Sequence, residues 1–168
     1  MKRAWLQGRA DPIGEHPFGD LGQLVLLAIF LSVWIGDSFF LEYTTFVSEF
    51  IPDGVQIGLA LMIFPVSGYF AAAGLHIVFG TEREQPEVIR KGVFGVVRHP
   101  IYLAAVLYYL GLLILSFSML AFGVWIVILC FYQYLARYEE RLLLKKFGEG
   151  YAAYMRQIPM WVPRIRTK

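Results

Sequence analysis

The chain has 168 residues, of which 58% are hydrophobic, 17% aromatic and only 17% charged, far more apolar than a soluble domain of this size requires. A net charge of +2 excludes a nucleic-acid footprint, so the fifteen Lys and Arg residues matter through their placement rather than their sum. Cys130 is the only cysteine, which excludes an internal disulfide and any multi-thiolate metal site, and its apolar surroundings predict a small buried hydrophobe.

Residues 1–20 are polar, carry Asp11, Pro12 and Pro17, and lack the apolar stretch and small-residue cleavage site of a secretory signal; they are expected to stay in the mature protein. Residues 21–41 form an apolar segment interrupted by Asp37, long enough at about 1.5 Å per residue to cross a hydrocarbon core of ~30 Å. Asp37 lies near the end of that segment, where reaching the headgroups is the favoured reading. Residues 55–79 form a second span without Asp, Glu, Lys or Arg; Pro65 and Gly68 inside it are tolerated in a membrane helix. His76, at its end, suits a hydrogen bond between helices. Residues 101–136 carry no formal charge, too many for one crossing and suited to two short ones. Ser116 and Ser118 mark the turn, giving arms of 101–115 and 119–136, marginal in length, so that one arm can be partly buried in protein.

From 139 to 154 a helical pattern continues, with Leu143, Phe147, Tyr151 and Tyr154 on one stripe, Gly148 and Gly150 weakening it, and Pro159 and Pro163 stopping it. Residues 158–162 are then an apolar, Trp-bearing segment suited to the membrane interface. The prediction is an all-α integral membrane protein forming one domain over 1–168. It has about four transmembrane helices, with a fifth allowed, a helical hairpin for the last two and a C-terminal helix at the cytoplasmic face. The orientation follows from the basic residues. The loop 42–54 has Glu42, Glu49 and Asp53 but no Lys or Arg, whereas all the basic residues fall in the N-terminal segment, in 80–100 or after Ala136. The positive-inside rule therefore places both termini and the 80–100 loop in the cytoplasm.

Chemistry concentrates in two places. The run Arg90-Lys91-Gly92-Val93-Phe94-Gly95-Val96-Val97-Arg98-His99-Pro100-Ile101-Tyr102 leads into the third helix. Pro100 suits a first helical turn, whose exposed N–H groups and dipole favour an anionic group such as a carboxylate. A basic juxtamembrane loop that only fixes topology is the plainer reading for Arg98 or Lys91 alone. The second place is Arg137-Tyr138-Glu139-Glu140-Arg141. Neighbours on a helix point about 100° apart, so at most one of Glu139 and Glu140 is expected at a site, holding a cation or hydroxyl or orienting a reacting group. His16, His76 and His99 lack metal-ligand spacing, and no metal is expected.

Taken together, Gly92-Val93-Phe94, Val97-Arg98-His99-Pro100-Ile101-Tyr102 and Gly111, followed by Glu139-Glu140, Leu143, Phe147-Gly148, Tyr151, Tyr154, Ile158-Pro159 and Pro163, resemble the isoprenylcysteine carboxyl methyltransferase family of membrane methyltransferases. The resemblance covers 86–163. It implies S-adenosylmethionine as cofactor, held by Pro86, Glu87, Val88, Ile89, Phe94, His99, Pro100, Ile101, Tyr102 and Glu139, with Glu139, Arg137 and His99 as catalytic residues. Two positions depart from that family's pattern. Phe94 stands where Tyr is common, and Leu135 stands where the substrate-side Arg is expected, leaving Arg137 as the nearest substitute although it is turned about 200° away on a helix.

What the resemblance implies is methyl transfer to a lipophilic substrate entering from the bilayer. The favoured acceptor is the C-terminal carboxylate of a prenylated cysteine, which arrives already ionised. The competing readings are methylation of a lipid amine or small thiol, a membrane reductase, and a non-enzymatic membrane subunit. The expected partners are that substrate and membrane lipids, with no nucleic acid.

Overall fold

The computed structural model describes residues 19–80 and 87–163, so Pro86, His16 and the polar N-terminal segment before Gly19 lie outside the described residues. The elements are helices α1 (Gly19–Gly36), α2 (Asp53–Phe79), α3 (Pro100–Ile114), α4 (Met119–Phe147) and α5 (Glu149–Gln157). A π-helical turn, Asp37–Leu41, extends α1, and short 3-10 turns cover Ser48–Phe50 and Gly92–Gly95. There is no strand among the described residues.

Three of these helices are long and apolar enough to cross a bilayer, Gly19–Leu41 with 23 residues, Asp53–Phe79 with 27 and Met119–Phe147 with 29. Helix α3 has 15 residues, about 22 Å at 1.5 Å per residue, and falls short of the ~30 Å hydrocarbon core. It is the short, protein-embedded arm that the uncharged stretch allowed. Its neighbours pack against it closely because small residues let the backbones approach. A Cβ built on Gly74 of α2 would lie 2.7 Å from Ile101, and one on Gly111 of α3 would lie 2.6 Å from the Phe64 ring. The Ser67 hydroxyl donates to the Ala104 carbonyl at 2.8 Å across the same seam. The core, on the other side of α3, gathers Phe30, Val106, Tyr109, Leu113, Ala121, Ile128, Tyr132 and Leu135, with the Phe30 and Tyr109 rings edge to face at 4.8 Å.

The hairpin turn falls at Ser116 and Ser118 as expected, and it explains Asp37. That carboxylate does not reach for the headgroups; it is 2% exposed. It accepts from the Ser118 hydroxyl at 2.5 Å, from the Thr44 backbone N–H at 3.2 Å and from the Thr44 hydroxyl. Ser118 also caps α4 by accepting from the Ala121 N–H at 3.1 Å, and Ser38 donates to Ser116 at 2.7 Å. The end of α1 is thereby tied to the α3–α4 turn. A buried acid is tolerated at this depth because hydrogen bonds replace its lost water.

Three local expectations change. Helix α4 does not end near Ala136 but runs on through Glu139 and Glu140 to Phe147, because Arg, Glu, Leu and Lys are all good helix formers and nothing interrupts them. The break comes at Gly148, at φ +53°, where glycine alone is unstrained; α5 then turns back and ends before the extended Ile158-Pro159 pair. Cys130 is exposed rather than buried, since an apolar side chain on a spanning helix can face lipid. His76 is exposed at the end of α2 and bridges to no other helix among the described residues.

The α2–α3 seam makes a signed prediction. Gly111→Ala forces the Phe64 ring to move and should destabilise the protein by about 1–3 kcal/mol, as overpacking does. Gly58→Ala, in α2 with nothing within 4 Å of its Cβ, should be neutral or stabilising. Thermal unfolding in detergent reads both; equal midpoints for the two variants would show that the seam is not tight.

Candidate functional site

Backbone geometry places Arg98, His99 and Tyr102 together. A tight 3-10 turn at Gly92–Gly95 delivers the chain through a bend at Arg98 to His99, the N-cap residue, and Pro100 opens α3 without costing a hydrogen bond. No side chain caps this helix start. The facing surface comes from α4, α5 and the segment after α5.

Arg98 is the joint. Its Nε donates to Glu140 Oε1 at 2.6 Å, while Nη1 donates to the Met155 carbonyl at 2.9 Å and to the Ile158 carbonyl at 2.6 Å. Its backbone N–H adds a bond of 3.0 Å to the Pro159 carbonyl. The two charged side chains are 10% and 7% exposed, so this is a nearly buried pair, with Nη1 held by two carbonyls. The turn is fastened to α5 as well: the Tyr154 hydroxyl donates to the Phe94 carbonyl at 2.7 Å, and Arg90 Nη2 donates to the Gly150 carbonyl at 2.6 Å. Burial pushes the Tyr154 hydroxyl up to about 12, which keeps it protonated as the donor this bond needs.

His99 sits between two acids. Its Nε2 lies 3.3 Å from Glu140 Oε1 and its Nδ1 lies 3.6 Å from Glu139 Oε2. Glu139 also accepts from the Tyr102 hydroxyl, and the His99 and Tyr102 rings are parallel with centroids 5.7 Å apart. The expectation that at most one of the adjacent glutamates could serve a site is thus overturned. The two side chains do diverge, but the imidazole is wide enough to meet one carboxylate at each nitrogen. The Nε2 contact with Glu140 is within hydrogen-bond distance, whereas Glu139 faces Nδ1 at ion-pair distance. Glu140 is the buried, Arg98-paired member; Glu139, with its side chain 17% exposed, is the accessible one.

Other residues complete this end of the bundle. The Trp161 ring lies 6.1 Å from His99, and its Nε1 donates to Gln133 Oε1 at 2.5 Å. Tyr132 stands 5.1 Å from Tyr102, ring to ring. Trp161 therefore packs against the cluster, not simply at an interface, and its sequence signal was only an aromatic in an apolar stretch. Arg98 reads in the sequence as a topology charge, whereas in the structure it is an internal tie; its place directly before His99-Pro100 is the one local clue. Of the remaining sequence-predicted positions, Glu87 is exposed, and Val88, Ile89 and Phe94 are half-buried in the approach to α3. Pro100 is buried. Ile101 looks the other way, into an apolar groove of about 720 Å³ lined also by Leu27, Phe64, Ser67, Ala104 and Tyr108.

Arg137 is not brought to His99. It is exposed and lines a separate cavity with Tyr134, Glu140, Arg141, Leu144 and Met155. Leu135 is 1% exposed in the core, so the position expected to carry a substrate-side Arg is filled by packing.

Removing Arg98 strands a buried carboxylate and two carbonyls. Arg98→Ala should cost about 3–5 kcal/mol and release α5. Arg98→Lys should recover little, because one ammonium cannot reproduce the guanidinium fork. Hydrogen exchange over 149–163, together with thermal unfolding, is the check; unchanged protection there in Arg98→Ala would refute the joint.

Known proteins match part of this chain. Residues 54–150 match the phospholipid methyltransferase family. A protein-S-isoprenylcysteine O-methyltransferase B from Arabidopsis thaliana is 29% identical over 93 residues, covering 54% of this chain and 46% of that protein, so the match spans about half the length of the relative. No solved structure matches. The family match includes α2, α3, α4 and the first turn of the Gly148 break, and the relative upholds the resemblance to isoprenylcysteine carboxyl methyltransferases. With apolar helices long enough to span a bilayer, the chain is an integral membrane protein that belongs to the phospholipid methyltransferase family of membrane methyltransferases.

Proposed function

We propose that the protein transfers a methyl group from S-adenosylmethionine to a lipophilic substrate drawn from the bilayer, and that the acceptor is the carboxylate of a prenylated cysteine. The observation that carries this reading is the His99–Glu139–Tyr102 cluster at the start of α3, with the apolar groove opening at Ile101 on the other side of the same helix turn. The printed name of the Arabidopsis relative supports the choice of acceptor.

The residues present fit the cofactor that the family implies. The uncapped start of α3 offers N–H groups and a dipole to a carboxylate. Glu139, partly exposed, can hold an ammonium or a hydroxyl. Tyr102, Trp161 and Phe94 supply aromatic surface, and Glu87, Val88 and Ile89 lead into the same turn. When bound, S-adenosylmethionine supplies an electrophilic methyl group on its sulfonium.

The side chains then have three tasks. Glu139 and His99 fix the polar end of the site, and Glu140 holds the His99 ring through Nε2. Trp161, Tyr102 and Tyr132 limit water beside it. No strong base is needed for a carboxylate nucleophile, which is already ionised at neutral pH. Lys91, Arg98, Arg137, Arg141, Lys145 and Lys146 all lie at this end of the bundle and Asp37, Glu42, Glu49 and Asp53 at the other, which supports a cytoplasmic site.

A second reading, a lipid amine as acceptor, is favoured by one feature. Among the described residues, the guanidinium beside His99 is that of Arg98, already committed to Glu140 and two carbonyls, while the accessible charge is the acid Glu139. An acid suits an ammonium substrate, which must lose a proton before it attacks.

Titration of the purified protein with S-adenosylmethionine should saturate. His99→Ala and Glu139→Ala should each weaken it about 10- to 100-fold, the loss expected for a charge-assisted hydrogen bond. Unaltered affinity in both folded variants, or no binding by folded wild type, would remove the reading. The acceptors separate by pH: methylation of farnesylated cysteine should be level from about pH 6 upward, whereas a lipid amine should be methylated faster as pH rises toward the amine's own pKa.

A further inference from the structure

We propose that Arg137 and Arg141 form a binding site for the phosphate of an anionic membrane phospholipid, distinct from the His99–Glu139 cluster. The two residues stand one turn apart on α4, both exposed, and both line a cavity of about 290 Å³. Neither forms an ion pair among the described residues. The acid in the cavity wall, Glu140, is already engaged by Arg98 at 2.6 Å and by His99 at 3.3 Å. Among the described residues the cavity therefore presents two guanidiniums without a carboxylate partner, whose planar forks match phosphate oxygens two at a time.

Position selects the source of the phosphate. Residues 101–136 carry no formal charge, so Arg137 is the first charge that α4 presents as it leaves the apolar zone. Tyr134, almost one turn earlier and 51% exposed, is an aromatic at the depth where such rings mark the membrane–water boundary. The guanidiniums consequently lie at headgroup level. The Tyr134 ring, on the bilayer side of the two guanidiniums, gives the cavity an apolar wall that suits the glycerol and first methylenes of a lipid, whereas a small phosphate from solution would leave it wet. The site does not depend on which acceptor is methylated. Its α5 wall is Met155, whose carbonyl also holds Arg98, so the two sites share a partition and no ligand-binding side chain.

The full-length protein in mixed micelles, titrated with dioleoyl phosphatidylglycerol or dioleoyl phosphatidylcholine near physiological salt, tests the proposal by the number of lipids retained per protein in native mass spectrometry. Phosphatidylglycerol should be retained in preference to phosphatidylcholine. Arg141→Gln should lower its affinity about fivefold, and Arg137→Gln with Arg141→Gln about 25-fold, from the contribution of each basic residue near a membrane surface. Lys146→Gln, which removes the same charge from a different face of α4, should leave retention intact. Equal retention of the two lipids, an equal loss in Lys146→Gln, or no loss in the folded double variant would each overturn it. So would sn-glycerol 3-phosphate displacing the lipid at comparable concentration, since the source would then be a soluble phosphate.

Discussion

One guanidinium holds the functional end of this protein together. Arg98 sits where the loop after α2 meets α3, and it binds the side chain of Glu140 on α4 and two carbonyls at the end of α5. That one side chain bonds to both α4 and the end of α5, and the Tyr154–Phe94 and Arg90–Gly150 bonds reinforce it. Helix α5 is short, it follows a glycine in the left-handed region, and nine residues are too few to be a stable helix without tertiary support. The carbonyls of Met155 and Ile158 lie at its free end, where a helix has no further N–H to offer, so Arg98 satisfies groups that would otherwise need water. Because His99 is the next residue, the same bonds that dock α5 also fix the imidazole between Glu139 and Glu140. Structure and site share one joint.

The opposite end of the bundle is closed by a different device with the same logic. Asp37, buried at the end of α1, gathers Thr44 and Ser118 and thereby holds the α3–α4 turn against α1. Helix α3 is pinned at both of its ends and lined by close contacts along α2, which is why it can be only 15 residues long. A spanning helix with one exposed face must match the bilayer. One held in protein at each end need not.

Helix α4 serves several surfaces at once because it continues past the apolar zone without a break. Leu135 and Ala136 belong to the core, Glu140 is turned inward to Arg98, Glu139 faces Tyr102, and Arg137 and Arg141 open outward beside Tyr134. Successive side chains step about 100° around the axis, so a run of charged residues that reads as one cluster in the sequence is divided among separate environments. This division explains why Arg137 could not stand in for an Arg at position 135. The two positions belong to different faces, one packed in the core and the other beside a cavity of its own.

The sequence by itself determined the membrane class, the first two long spans, the uncharged hairpin with its turn at Ser116 and Ser118, and the two runs, His99-Pro100 at a helix start and Glu139-Glu140, where chemistry concentrates. Hydropathy, helix length and a proline at a first turn are local properties, fully present in neighbouring residues. Local reading failed where a residue's environment is supplied by distant chain. Asp37 looked like a headgroup contact because nothing within its own segment could satisfy it; its partners include Ser118, 81 positions on. Cys130 looked buried because its segment is apolar, although lipid is as apolar as a core. Arg98 looked like a topology charge because its acceptors come from Glu140, Met155 and Ile158. Only the tertiary structure decided that both glutamates reach one histidine, that Trp161 packs over it, and that Arg137 does not. Those facts depend on the phase of α4 and on where Gly148 lets the chain turn back, and helix phase and chain reversal become definite only when separated segments pack together.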